Sequence, residues 1–234
     1  MNASELDAAR LPIGIPRRFS MASLLFALLA LIIATPFLED LRDGDMIQTA
    51  LLTLVYLAAF WSMSARRRTF LWAIILIIPA IVTKWVDHLR PGLLPPALYF
   101  VFGLLCMGLV IIELLRFILR ARHVDSDVMF ASVGGYLMLV ILWAVAYDYL
   151  AQMSPNAFAF NPSNADSRMQ GFTSLYFSLG VMSTVGFGDI TPVSRTARLL
   201  AVLEATTGVF YVAILISRLV GLYAPTRPGS DIGA

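Results

Sequence analysis

The chain has 234 residues, 59% of them hydrophobic and only 14% charged, where a soluble domain carries about 25% charged residues; this excludes an ordinary water-soluble globule. Its 17 basic residues, all arginine except Lys84, stand against 15 acidic ones for a net charge of +2, too small and too scattered for nucleic-acid binding. The lone Cys106 can form neither a disulfide framework nor a Cys-based metal site, and His88 and His123 lie too far apart in sequence for an imidazole cluster.

A bilayer core of about 30 Å needs about 20 helical residues. In chain order, the apolar runs Met21 to Leu38, Met46 to Ala65, Thr69 to Val86, Pro96 to Ile112, Val128 to Tyr147 and Leu199 to Val220 come near that length and predict six spans. Ala151 to Gly171, rich in Asn, Ser and Pro, predicts a loop outside the membrane. Phe172 to Met182 follows it and is too short to cross, which predicts a re-entrant helix. Such backbone survives at membrane depth only when buried in protein or lining a water-filled cavity. The expected fold is an all-α membrane protein with six transmembrane helices plus this short helix and a loop between the fifth and sixth.

Basic residues near short loops favour the cytoplasm. An inside N-terminus puts Arg17, Arg18, Arg66, Arg67, Arg68 and Arg116 on that side and leaves the acidic loop Glu39 to Asp45 outside. Both termini are thus expected in the cytoplasm of an integral membrane protein in a plasma membrane, in a bacterium the inner one. Trp61 and Trp72 fall near the inner interface and Trp85 near the outer one, and Lys84 with Asp87 reads as a snorkelling pair. Arg17-Arg18 reads as the flank of a retained span, because no small-residue cleavage site follows it. The terminal segments 1–18 and 221–234 are too short to fold as sensing domains, so no regulatory cytoplasmic domain is expected in this chain.

Directly after the short helix stands Thr184-Val185-Gly186-Phe187-Gly188-Asp189. A cation stripped of water must be recoordinated by oxygens, and backbone carbonyls supply partial charge without trapping a monovalent ion. Gly186 and Gly188 can take positive φ at no steric cost, so that successive carbonyls point to one side and do not alternate as in a strand. The Thr184 hydroxyl adds a further oxygen. Phe187, Tyr176 and Phe177 are placed to brace the segment from behind.

Phe172 to Asp189 resembles the pore helix and selectivity filter of potassium channels, with TVGFGD where many have TVGYGD. The resemblance implies ion sites formed by the carbonyls of Thr184, Val185, Gly186 and Phe187, with Gly188 closing the filter and Asp189 at the outer mouth. It extends over a pore domain of residues 123–220: an outer helix at Val128 to Tyr147, a pore helix at 172–182, a filter at 184–188 and an inner helix at 197–220, with Gly208 where a gating-hinge glycine is common. Residues 1–18 would then be a cytoplasmic N-terminal segment, 19–122 a four-helix N-terminal membrane region and 221–234 a cytoplasmic tail. The chain departs from the commoner pattern twice: Phe187 lacks the tyrosine hydroxyl, and Gly180 stands where some small bacterial channels carry a buried glutamate.

One chain offers one filter and cannot surround an ion, so a homotetramer about a fourfold axis is expected. Its partners would be membrane lipid and K+ ions, with no nucleic acid, no enzymatic activity and no cofactor beyond the permeant ion. Val209, Val212, Ile216 and Val220 recur at helical spacing and, by the resemblance, line the cavity below the filter. The fourth span, Pro96 to Ile112, holds no Arg or Lys, and Arg116, Arg120 and Arg122 follow it as a helix end and linker; steep voltage gating, which needs several charges moved through the field, is not expected.

Glu204 is the acidic residue inside the sixth span. At about 100° per residue its side chain points roughly 110° from the mean direction of Val209, Val212 and Ile216. That turns it toward the short helix, where a hydrogen bond near Ser183 or Ser178 would support the filter; a cavity charge and a plain helix-packing role are the alternatives. Gly208 can equally serve close helix packing, and Gly208→Ala is expected to leave packing nearly intact. Two rival functions share parts of this pattern. The G-x-G-D at Gly186 to Asp189 with Tyr147-Asp148 also fits an intramembrane aspartyl protease, but neither aspartate sits mid-membrane and the Pro-Ala-Leu at Pro96 comes in the wrong order. A potassium transporter subunit would more often carry four filter repeats in one chain.

Overall fold

A computed structural model of the chain describes residues 17–38, 44–63, 67–90, 93, 95–161 and 168–223. Most of the two terminal segments, Arg66, and the side chains of Trp61, Trp72 and Asp87 lie outside the described residues. The elements are helices α1 (Arg17–Leu38), α2 (Gly44–Met63), α3 (Arg67–Leu89), α4 (Pro96–Arg120) and α5 (Ser126–Met153), strand β1 (Phe158–Phe160), helix α6 (Gly171–Met182), strand β2 (Ile190–Pro192) and helix α7 (Arg195–Tyr223).

Local chemistry sets several of these boundaries. Pro96 opens α4 at a position where its missing N–H has no helical partner to lose. The Asp125 carboxylate accepts from Val128 N at 2.9 Å and caps α5; Ser194 Oγ accepts from Ala197 N at 3.1 Å and caps α7. Some hydroxyls inside the apolar helices donate to the carbonyl one turn back, as Thr35 does to Leu31 O and Ser132 to Val128 O, each at 2.6 Å, which keeps these two donors paired away from water.

Helix α5 is the hub: α1, α4, α6 and α7 all pack on it, while α2 and α3 close the other side of α1 and α4. A continuous apolar core runs through Leu24, Leu28, Val55, Met107, Val110 and Met138. A second cluster at one end joins Tyr147, Phe158, Phe177 and Ile190.

Four helical stretches among the described residues are long and apolar enough to cross a membrane: Met21–Leu38, Ala97–Arg120, Ser126–Met153 and Arg195–Gly221. The second and third expected spans fall on α2 and α3, whose apolar stretches are the shorter Met46–Ala59 and Ile74–Val86. Two boundaries are corrected. The fourth helix does not stop at Ile112 but continues to Arg120, because its apolar face runs on through Leu114 and Ile118, which join the core, past the Glu113–Arg116 pair at 2.5 Å. The expected loop from Ala151 starts only after Met153 and contains β1, which pairs antiparallel with β2 in the register Phe158↔Pro192, Ala159↔Thr191 and Phe160↔Ile190.

Candidate functional site

The site is built on α6 and the six residues that follow it. Helix α6 spans 12 residues from Gly171 and packs between α5 and α7. At its end the chain turns sharply back: Val185 N and Gly186 N both donate to Gly180 O, at 2.9 and 3.1 Å, and Thr184 N donates to Val181 O at 3.0 Å. The returning segment alternates in handedness, with φ of +59° at Thr184, +56° at Gly186 and +81° at Gly188, while Val185 and Phe187 stay at negative φ. In a strand successive carbonyls point to opposite sides; alternating the sign of φ cancels that alternation and aims them to one side. Thr184 departs from the sequence expectation, which assigned positive φ to the glycines alone. A β-branched residue held there stores about 1–3 kcal/mol of strain.

Behind this segment the side chains form two separate supports. On one face of α6, Tyr176 stacks on Phe187, with ring centroids 5.3 Å apart and planes 12° from parallel, and donates its hydroxyl to Asp189 Oδ2 at 3.0 Å. Gly180 lies one turn on, and a Cβ there would come 3.7 Å from the Phe187 ring, so the ring fills the space beside the bare backbone. Asp189 is held further: its Oδ1 accepts from Ile190 N at 3.1 Å, and its carbonyl accepts from Asn161 N at 2.9 Å. Phe177 is a correction, because it turns away from Phe187 and packs edge-on against Tyr147 and Phe158 at 5.0 and 5.6 Å. Consecutive residues of a helix point about 100° apart, so Tyr176 and Phe177 cannot share a face.

The second support centres on Glu204, which is 0% exposed. Ser178 donates to its Oε1 and Tyr147 to its Oε2, each at 2.5 Å, and Ser178 Oγ also lies 2.8 Å from Val140 O. A carboxyl on α7 thus ties α6 to α5 through two hydroxyls. Ser183, just past the end of α6, takes no part and donates to Leu179 O in the last turn of that helix. Tyr147, 57 residues away in sequence, was not among the expected partners.

Gly208 lies one turn below Glu204, where a Cβ would stand 2.3 Å from Met182 O. The expectation that alanine leaves packing intact is therefore corrected: α7 meets the end of α6 backbone to backbone, and only glycine fits. Near the far end of α7, Arg218 donates to Leu119 O and Ala121 O at 2.9 and 2.6 Å and fastens the helix to the end of α4. Val209, Val212, Ile216 and Val220 are all exposed in the single chain, as is the segment from Thr184 to Gly188, with Val185 57% and Phe187 64% exposed. The two aspartates of the protease rival stand apart, Asp148 on the wall of a separate cavity and Asp189 bonded to Tyr176 beside the returning segment.

These features define an integral membrane protein built of apolar helices, two long ones flanking a short helix and a backbone segment of alternating handedness. The family model described as "Ion channel" matches residues 135–224, from within α5 to the end of α7. Voltage-gated potassium channel Kch of Escherichia coli is 30% identical over 155 residues, 66% of this chain and 33% of that protein, so the match spans about a third of its length. Protein LctB of Geobacillus stearothermophilus is 30% identical over 104 residues, 43% of this chain and 77% of that one. Two-pore potassium channel 4 of Arabidopsis thaliana is 42% identical over 45 residues, 19% of this chain and 16% of that one. The chain belongs to the potassium channel family.

Proposed function

We propose that this protein is the subunit of a potassium-selective channel that conducts K+ passively through a homotetrameric pore. The observation that carries the reading is the alternation of φ at Thr184, Gly186 and Gly188. It aims a column of carbonyl oxygens to one side of a segment that is exposed in the single chain. Four such columns about an axis replace the hydration shell of a monovalent cation, as rings of carbonyls do in potassium-selective filters. The ion sites are the carbonyls of Thr184 to Phe187 with the Thr184 hydroxyl, and Asp189 stands at the outer mouth. Val209, Val212, Ile216 and Val220 line the water-filled cavity beneath, and Glu204, Tyr176 and Ser178 hold the filter in shape.

In this reading the chain crosses the membrane six times, α2 and α3 completing the count, and α6 re-enters from the outer side. Both termini face the cytoplasm. Residues 123–220 form the pore domain and 19–122 a surrounding collar. Voltage dependence is weak, because α4 carries neither Arg nor Lys before Arg116 and few charges cross the field. Reconstituting the full chain in liposomes loaded with KCl and following dye uptake driven by K+ efflux tests the reading. Flux with a K+ gradient and none with an equal Na+ gradient is expected; equal flux with both cations would refute it.

A further inference from the structure

Between α1–α4 on one side and α5 with α6 on the other lies a cavity of about 490 Å³, apart from the filter and its supports. Its lining is graded. On α1, α3 and α5 the polar Thr35, Lys84 and Asp148 follow the apolar Leu31, Ala80 and Ile141 in the chain. On α2 and α4, which run the opposite way, Thr49 and Tyr99 precede Tyr56 and Met107. Alternating helix direction therefore gathers the polar residues at the end of the bundle that carries β1 and β2, and the apolar ones at the other.

Two wall atoms at the polar end are buried with no hydrogen-bond partner, Asp148 Oδ1 and Ser174 Oγ, and Ser174 as a whole is 2% exposed. The charge of Lys84 acts on the Asp148 side chain. The Lys84 ammonium itself stands 4.9 Å from the centroid of the Tyr99 ring. Buried polar atoms are costly to leave unpaired, and native structures pair nearly all of them with protein, water or ligand. A carboxylate oxygen lacking a donor and a cation on the wall of the same cavity suit one molecule that brings both an ammonium and an anion.

We infer that this cavity binds an amphiphile with a phosphoethanolamine head. Its primary ammonium donates to Asp148 Oδ1, its phosphate faces Lys84 and accepts from Ser174, and its acyl chain runs toward Tyr56, Met107 and Ile141. A quaternary ammonium has no N–H to give Asp148, so a choline head fits worse. The opposed charges of Lys84 and Asp148 select a zwitterion over an anion. The volume falls within the range of small-molecule sites, about 300–1,000 Å³, and takes the head and the upper part of a chain. A molecule seated there touches the four-helix collar and α6 together, one turn of α6 before Ser178.

Native mass spectrometry of the full chain in detergent tests this, with lysophosphatidylethanolamine set against lysophosphatidylcholine of the same acyl chain. At least tenfold tighter retention of the ethanolamine form is expected. Asp148→Asn and Ser174→Ala should cut that preference below threefold while leaving retention of phosphatidylglycerol unchanged. Equal retention of the two lysolipids by the unaltered protein, which would leave water as the occupant, overturns the proposal and requires no variant to fold. Variants that keep the full preference overturn the placement at Asp148 and Ser174. Repeating the comparison after reconstitution in vesicles of phosphatidylglycerol with either diacyl phosphatidylethanolamine or diacyl phosphatidylcholine identifies the source. Preferential retention of the diacyl ethanolamine lipid marks a bilayer component, and a preference confined to the lyso form marks a water-borne amphiphile; both support the assigned head chemistry.

Discussion

Helices α5 and α7 are nearly equal in length, 28 and 29 residues, and both are strongly apolar, yet 56% of the spanning stretch of α5 is buried within the chain against 17% of that of α7. Helix α5 finds its neighbours in its own chain on nearly every side. Helix α7 buries a narrow stripe, Ala197, Glu204, Gly208 and Tyr211, at spacings of seven, four and three residues, and leaves Leu199, Val202, Phe210 and Ile214 open. An apolar helix left open on most of its surface is completed by lipid and by other copies. The difference teaches that α5 is a scaffold within the chain, whereas α7 and the segment it supports leave open the surface that the proposed homotetramer would cover.

The comparison breaks most readily at the filter. Gly186→Ala meets no atom within 4 Å, but its Cβ is forced onto a φ of +56°, so the change acts on backbone conformation alone. Selective K+ flux is expected to fall at least a hundredfold, with the oligomer unchanged by light scattering. Residual selective flux near the unaltered level would show that the alternation of φ is not what carries selectivity.

The buried stripe of α7 offers the next largest effect. Gly208→Ala drives a methyl group against Met182 O at 2.3 Å and should cost about 1–3 kcal/mol as overpacking, seen as a drop in thermal stability. Phe210→Ala on the open surface should leave the stability of the isolated subunit nearly unaltered and weaken the oligomer instead. Equal losses of subunit stability from the two would erase the distinction between stripe and open surface.

Glu204→Gln is a gentler probe, because the amide preserves shape while replacing one accepting oxygen by a donor opposite the Tyr147 and Ser178 hydroxyls. Faster inactivation or Na+ leak at low K+ is expected, with unitary conductance little changed. A large fall in conductance and in block by internal cations, with inactivation unaltered, would put the carboxyl in the cavity. The smallest effect concerns α4: open probability in planar bilayers should change only gently between strongly negative and strongly positive potentials, and several elementary gating charges per subunit would contradict this.

The parts of this architecture that depend on local pattern were legible in the sequence. The long apolar runs, the positive φ of Gly186 and Gly188, and the turn of Glu204 toward Ser178 all follow from helical phase and glycine sterics. What escaped depends on contacts distant in the chain. Tyr147 reaches Glu204 from another helix, and the three-residue strands β1 and β2 are too short to show a period of two and exist because they pair. The φ of +59° at Thr184 is imposed by the hydrogen bonds that turn the chain back onto Gly180, not by its own propensity. Helix α4 outran its expected end because Leu114 and Ile118 carry its buried face past the charged Glu113–Arg116 pair, at which the apolar run was cut.

The central claim is that four chains together present the Thr184–Gly188 carbonyls to a dehydrated K+ ion. The reversal potential of the full chain in a planar bilayer, with KCl on one side and equimolar NaCl on the other, tests it most directly. A reversal potential displaced by many tens of millivolts in the sense of K+ selectivity is the result the account predicts. A reversal near zero, with K+ and Na+ crossing alike, would contradict it.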